Sequence, residues 1–185
     1  LHFEYDTEFQ VPETTSDVLI LAGDISPGLN GMARFARSTK PVIYVPGNHE
    51  FYGESIHALP AALRLLANGS SIHLLDNDEV RLGGVRFLGA TLWTSYELYG
   101  IERIGEVTAH ADRHLNDYIC IQSENAATLT PGQTVSLHRK AVDWLERKLD
   151  EPFDGKTVVV THHAPHPASL MPKHEGKLIN AAYAS

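Results

Sequence analysis

Short apolar runs that stop at glycine, proline or polar turns set the rhythm of this chain. Residues 18–22 (VLILA) end at Gly23-Asp24 and residues 42–45 (VIYV) end at Pro46-Gly47, and each reads as a buried strand. Between them Met32, Phe35 and Ala36 recur at helical spacing until Lys40-Pro41 breaks the pattern. Ile56, Leu59, Leu63 and Leu66 mark a second amphipathic helix, stopped by Asn68-Gly69, and Pro60 predicts its division into two short helices. Residues 80–82 and 85–88 flank Gly83-Gly84 as the arms of a two-residue hairpin.

Thr130-Pro131-Gly132-Gln133 has the form of a helix start: an N-cap threonine, proline at the first position and a glutamine that completes a capping box. Leu137, Ala141, Leu145 and Leu149 then carry the inner face of that helix, with Trp144 beside it. Residues 157–160 are β-branched throughout and run into His162-His163. Residues 94–129 follow no clear period and read as an insertion over the sheet. The alternation of strands and helices predicts one α/β layered domain over residues 1–185.

Composition narrows the partners. A net charge of −8 supplies no broad basic field for nonspecific nucleic-acid or membrane-surface binding. A nucleotide stays open, because bound cations would dominate the local field. Cys120 is the sole cysteine, so no internal disulfide forms, which suits a reducing compartment. No apolar run approaches the roughly 20 residues of a membrane span, and the acidic first ten residues do not read as a secretory leader. The expectation is a cytoplasmic protein with no membrane partner.

Three of the strands end in groups a metal binds: Asp24, then Asn48-His49-Glu50, then His162-His163. In open α/β folds ligands sit outside the carboxyl ends of the strands, where successive loops meet. Carboxylate, amide oxygen and imidazole together suit divalent Mn, Fe or Zn. Each fragment alone is common, since Gly-Asp is a frequent turn and a lone histidine is more often a surface or core group. The ordered combination is specific.

That ordered set, Gly23-Asp24, Gly47-Asn48-His49-Glu50 and His162-His163, resembles the calcineurin-like metallophosphoesterases. Their pattern runs D-x-H, G-D-x-x-D, G-N-H-[DE], a later H and G-H-x-H. Residues 1–4 (LHFE) are similar to the tail of the opening motif. Tyr52 with its neighbours, residues 89–93 (GATLW) and Asn116-Asp117-Tyr118 resemble an uncharacterised bacterial branch.

The resemblance implies an α/β/β/α four-layer sandwich, here incomplete, and a hydrolase of small phosphate esters or nucleotides that uses two divalent metal ions (Mn, Fe or Zn). It implies that Asp24 bridges the metals, that His2 serves the first, and that Asn48 and His162 serve the second. His49 would bind no metal; it would act as the acid or charge stabiliser while a metal-bridging hydroxide attacks phosphorus in line. His162 and His163 compete for one position; His162, nearer the strand, is the expected ligand, leaving His163 to reach the phosphate or pack beside it.

Three ligands of the pattern are missing, the opening Asp and both histidines of G-H-x-H. The first strand and the last segment are therefore expected to lie outside residues 1–185, and the activity of these residues alone stays open. Pro27 stands where G-D-x-x-D has its second Asp, so His49 needs another partner, for which Glu50 is the candidate. Glu50 reads otherwise as a second layer behind the site or a phosphate neighbour.

The alternatives are a non-catalytic binding scaffold on the same fold, which the retained ligands argue against, and a metal-dependent nuclease, for which no basic groove or stacking stripe is visible. His110 and His114 share a helix face without a third ligand, and Asp112-Arg113-His114 matches D-x-H with no strand before it. Both read as solvated surface. Trp93 and Tyr52 are read as core aromatics ahead of pocket walls.

Overall fold

The computed structural model describes residues 1–6, 8–171, 173 and 176–185. Among the described residues six strands form two sheets: β1 (Leu19–Ala22), β2 (Val42–Val45) and β3 (Ile72–Leu74) pair in parallel in that order. In the second sheet β4 (Asp78–Leu82) and β5 (Val85–Ala90) form the Gly83-Gly84 hairpin, and β6 (Lys156–Thr161) joins β5 in parallel. The period-2 rule explains the layering. Ile43 and Val45 of β2 point to the second sheet and pack with Leu75, Phe87 and Val160, while Val42 and Tyr44 point the other way.

Helices cover both outer faces. On the first sheet α1 (Asn30–Ala33) and α2 (Leu59–Ala67) bring Met32, Leu59 and Leu63 onto Leu21, Val42 and Tyr44. On the second, α5 (Pro131–Asp150) lays Ala141, Val142 and Leu145 against Ala90 and Leu92. The result is the α/β/β/α sandwich. The expected capping box of Thr130 and Gln133 is present at the start of α5. The inner face of α5 ends one turn early, since Leu149 is 51% exposed.

Pro60 does not split α2. It sits in the first turn, where its missing N–H removes no helical bond, and the helix runs unbroken behind it. The three-residue β3 carries too short a pattern for the sequence to announce it. Residues 94–129 contain α3 (Ile104–His114) and α4 (Asp117–Cys120), and they are not laid over a finished core. Val107, Ala111, Tyr118, Ile121 and Leu129 share one apolar cluster with Leu21, Val42 and Tyr44. Among the described residues no helix is long and apolar enough to cross a membrane.

Candidate metal centre

β1, β2 and β6 end on one side of the sandwich, and the loops that follow deliver Asp24, Asn48-His49 and His162-His163 to a single cleft of 370 Å³. The loops approach more closely than side chains permit. A Cβ on Gly23 would lie 2.3 Å from His162 Nδ1, and one on Gly47 would lie 2.3 Å from Asp24 Oδ1. Gly23 is also left-handed at φ +85. Asp24 follows it at φ 55, a conformation that L residues avoid and that clusters at functional sites.

Glu50 holds the two loops together. It is fully buried, and its carboxylate accepts from Ile25 N at 2.7 Å and the Tyr44 hydroxyl at 2.9 Å on Oε1, and from Gly47 N at 2.7 Å and Asp24 N at 2.9 Å on Oε2. Burial, with Glu50 beside it, pushes the Tyr44 hydroxyl far up, so it stays a donor. With both oxygens so engaged, Glu50 neither faces a phosphate nor partners His49. Of the places read for it from the sequence, its bonds agree with the one behind the site.

His162 Nδ1 stands 2.9 Å from the Ala22 carbonyl oxygen, which can only accept, so Nδ1 carries a proton, and in the neutral ring Nε2 offers a lone pair. That Nε2 lies 3.0 Å from Asn48 Oδ1 and 3.3 Å from Asp24 Oδ1. In that neutral form a ring nitrogen, an amide oxygen and a carboxylate oxygen converge as candidate ligands. His163 is turned elsewhere: Nδ1 donates to Thr91 O at 3.1 Å and the ring stacks on Trp93 with centroids 5.5 Å apart. Burial, with His162 adjacent, pushes His163 down to about 3, so it is a neutral packing group. Trp93 itself is core, against Phe51.

The amino-terminal segment closes the other side. His2 N and Phe3 N donate to the Asp24 and Ile25 carbonyls, both at 2.9 Å, which sets His2 Nε2 3.5 Å from Asp24 Oδ2. The two oxygens of Asp24 therefore face different histidines. Among the described residues, His2, Asp24 and His49 form a group of histidine and carboxylate ligand atoms within 4.8 Å of one another. Glu4 Oε1 contacts both imidazoles, His2 Nδ1 at 3.1 Å and His49 Nδ1 at 3.3 Å. Burial pushes the Glu4 carboxyl up, but its own backbone N–H and the two histidines outweigh that and hold it below the usual carboxylate range. Glu4, where Glu50 was expected, is the partner of His49.

The rest of the His49 setting comes from Tyr52 and from α4. The Tyr52 ring stacks on His49 with centroids 4.3 Å apart, and its hydroxyl donates to Asp117 Oδ1 at 2.7 Å. Asn48 Nδ2 donates to the same oxygen at 2.8 Å. Burial pushes the Asp117 carboxyl up although both hydrogen bonds pull it down, and burial with Asp117 nearby pushes Tyr52 up. Tyr52 is thus a wall of the cleft and not core. Sequence reasoning missed Glu4 and Asp117 as site residues; the His2-x-Glu4 spacing and the Asn116-Asp117-Tyr118 triplet were the available signals.

The sequence profile of the calcineurin-like phosphoesterases matches residues 4–182. The chain belongs to the calcineurin-like phosphoesterase family. An uncharacterised protein of Acanthamoeba polyphaga mimivirus is 27% identical over 162 residues, which cover 80% of this chain and 55% of that protein. This chain thus spans about half the length of that relative. Among solved structures, the crystal structure of phosphopantetheinyl hydrolase from Mycobacterium tuberculosis superposes with a TM-score of 0.66. That match is 19% identical and covers all of this chain and 73% of the hydrolase; it establishes the common fold.

The residues of this family member fit the divalent ions the family name implies. Carboxylate, amide oxygen and imidazole converge on one point, and Glu4 Oε2 is buried with no hydrogen-bond partner among the described residues. The cleft is lined by Asp24 and Asp117, and no lysine or arginine lines it among the described residues. A phosphate ester would meet net negative charge there unless cations reversed it.

Proposed function

We propose that the protein hydrolyses phosphate esters of small molecules, nucleotides included, using two divalent cations, and that residues 1–185 form the larger part of its catalytic domain. One observation carries the reading: His162, with Nδ1 on the Ala22 carbonyl, brings Nε2 to Asn48 Oδ1 at 3.0 Å and to Asp24 Oδ1 at 3.3 Å. A divalent cation among them would take all three atoms as ligands.

Asp24 Oδ1, Asn48 and His162 would hold one ion. Asp24 Oδ2 and His2 would hold part of the other, with Asp24 spanning both; the remaining ligands are assigned to sequence outside these 185 residues. Mn, Fe or Zn fits the mixed donor set. Bound cations supply the positive charge that a phosphoryl group needs and lower the pKa of a coordinated water.

The chain's own residues do the orienting. The Asp24 carboxylate is aimed by the Asp24 N–H on Glu50 and by the His49 N–H on Asp24 Oδ1 at 3.1 Å. His49 is held by Glu4 at Nδ1 and by the flat face of Tyr52, which leaves Nε2 to meet the leaving oxygen or its charge. Leu115, Leu170 and Tyr183 complete the wall and limit water around the ester.

The test is hydrolysis of 4-nitrophenyl phosphate by the whole protein with its natural flanking sequence. Turnover is expected to need added Mn, Zn or Fe and to stop with a chelator. Hydrolysis that persists in chelator would overturn the proposal.

A further inference from the structure

We propose that Asp117 is the positioning residue of the metal centre: it fixes which end of the Asn48 amide faces the cation. The inference rests on the metal reading above. An asparagine amide presents oxygen or NH₂ in nearly the same shape, so a half-turn about its last bond would replace a ligand with a donor. Something behind the amide must choose. Asp117 Oδ1 lies 2.8 Å from Asn48 Nδ2 and accepts its N–H. With NH₂ drawn to Asp117, Oδ1 is left on the side of His162 Nε2, 3.0 Å away.

Asp117 is itself held in place. It is 6% exposed, and Tyr52 OH donates to the same oxygen at 2.7 Å. The next residue, Tyr118, is buried, with its hydroxyl hydrogen-bonded to Tyr96 and, at 3.2 Å, to Thr134 Oγ1 near the start of α5. The short α4 is thereby pinned from beneath, and Asp117 reaches Asn48 across 69 residues of sequence. Through Tyr52, whose ring stacks on His49, the same oxygen also steadies the face of the catalytic imidazole. One acceptor atom therefore serves a metal ligand and the support of the acid.

The experiment measures Mn²⁺ affinity of the whole protein by calorimetry, beside its melting temperature. Asp117→Leu, which keeps the branched shape and removes the acceptor, is expected to weaken Mn²⁺ binding about 10–100-fold, the usual loss behind a metal ligand. Asp117→Asn retains an amide oxygen and is expected to restore most of the affinity, which a purely electrostatic role would not allow. Unchanged affinity in Asp117→Leu, or equal loss in both variants, would overturn the inference. If the unaltered protein bound no Mn²⁺, the metal reading itself would fall instead. Should Asp117→Leu not fold, NMR of the unaltered metal-free protein decides: the Asn48 NH₂ protons are expected to show contacts to Asp117 Hβ and slow exchange. Contacts from those protons to the His162 ring instead would overturn it.

Discussion

On the Oδ1 side of Asp24, His162 is set by a 2.9 Å hydrogen bond to a strand-end carbonyl and Asn48 by a 2.8 Å hydrogen bond to a buried carboxylate. On the Oδ2 side, His2 and His49 hang on one Glu4 oxygen at 3.1 and 3.3 Å, and the His2 side chain is 39% exposed against 16% for His162. The first side grows from the sheets, and Glu50 ties its loops together with four hydrogen bonds. The second is carried by a segment that lies along the Asp24 loop. One half of the centre is thus tied into the sheets, whereas the other rests on the contacts of Glu4.

The largest effect should come where the two sides share a residue. Asp24→Asn is expected to lose metal and hydrolysis together, since a neutral amide cannot serve two cations as a carboxylate does. His49→Ala, on the looser side, is expected to keep the metals and lower turnover by about 10²–10⁴. That loss should shrink for nitrophenyl esters, whose leaving groups depart without a proton. Metal analysis with kinetics on two leaving groups checks both; loss of metal in His49→Ala would erase the distinction between the sides.

Stability should separate the sides next. Glu50→Ala leaves four buried donors without their acceptor and is expected to cost about 3 kcal/mol or more in urea unfolding. Glu4→Gln, on the half-exposed side, is expected to cost less than about 1 kcal/mol. Equal losses would show that the amino-terminal side is as firmly built as the sheet side.

The same contrast explains what the sequence disclosed. Asp24, Asn48 and His162 follow strands directly, so an apolar run pointed to each, and the capping box of Thr130 and Gln133 is a local code. Glu50 as a stitch, Glu4 as the His49 partner and Asp117 behind Asn48 are pairings across 25 to 69 residues, set by how layers stack. No local period reports those. α3 and α4 were hidden for a similar reason: their buried residues, Val107, Ala111 and Tyr118, pack into a core whose other half lies in β1 and β2.

Anomalous diffraction from Mn²⁺-loaded crystals of the whole protein tests the central claim most directly. The account predicts a Mn peak ligated by Asp24, by the oxygen of Asn48 and by His162 Nε2, with His49 outside its coordination. A cleft without a peak, or a Mn ion bound by His49 with His162 left on Asn48, would contradict it.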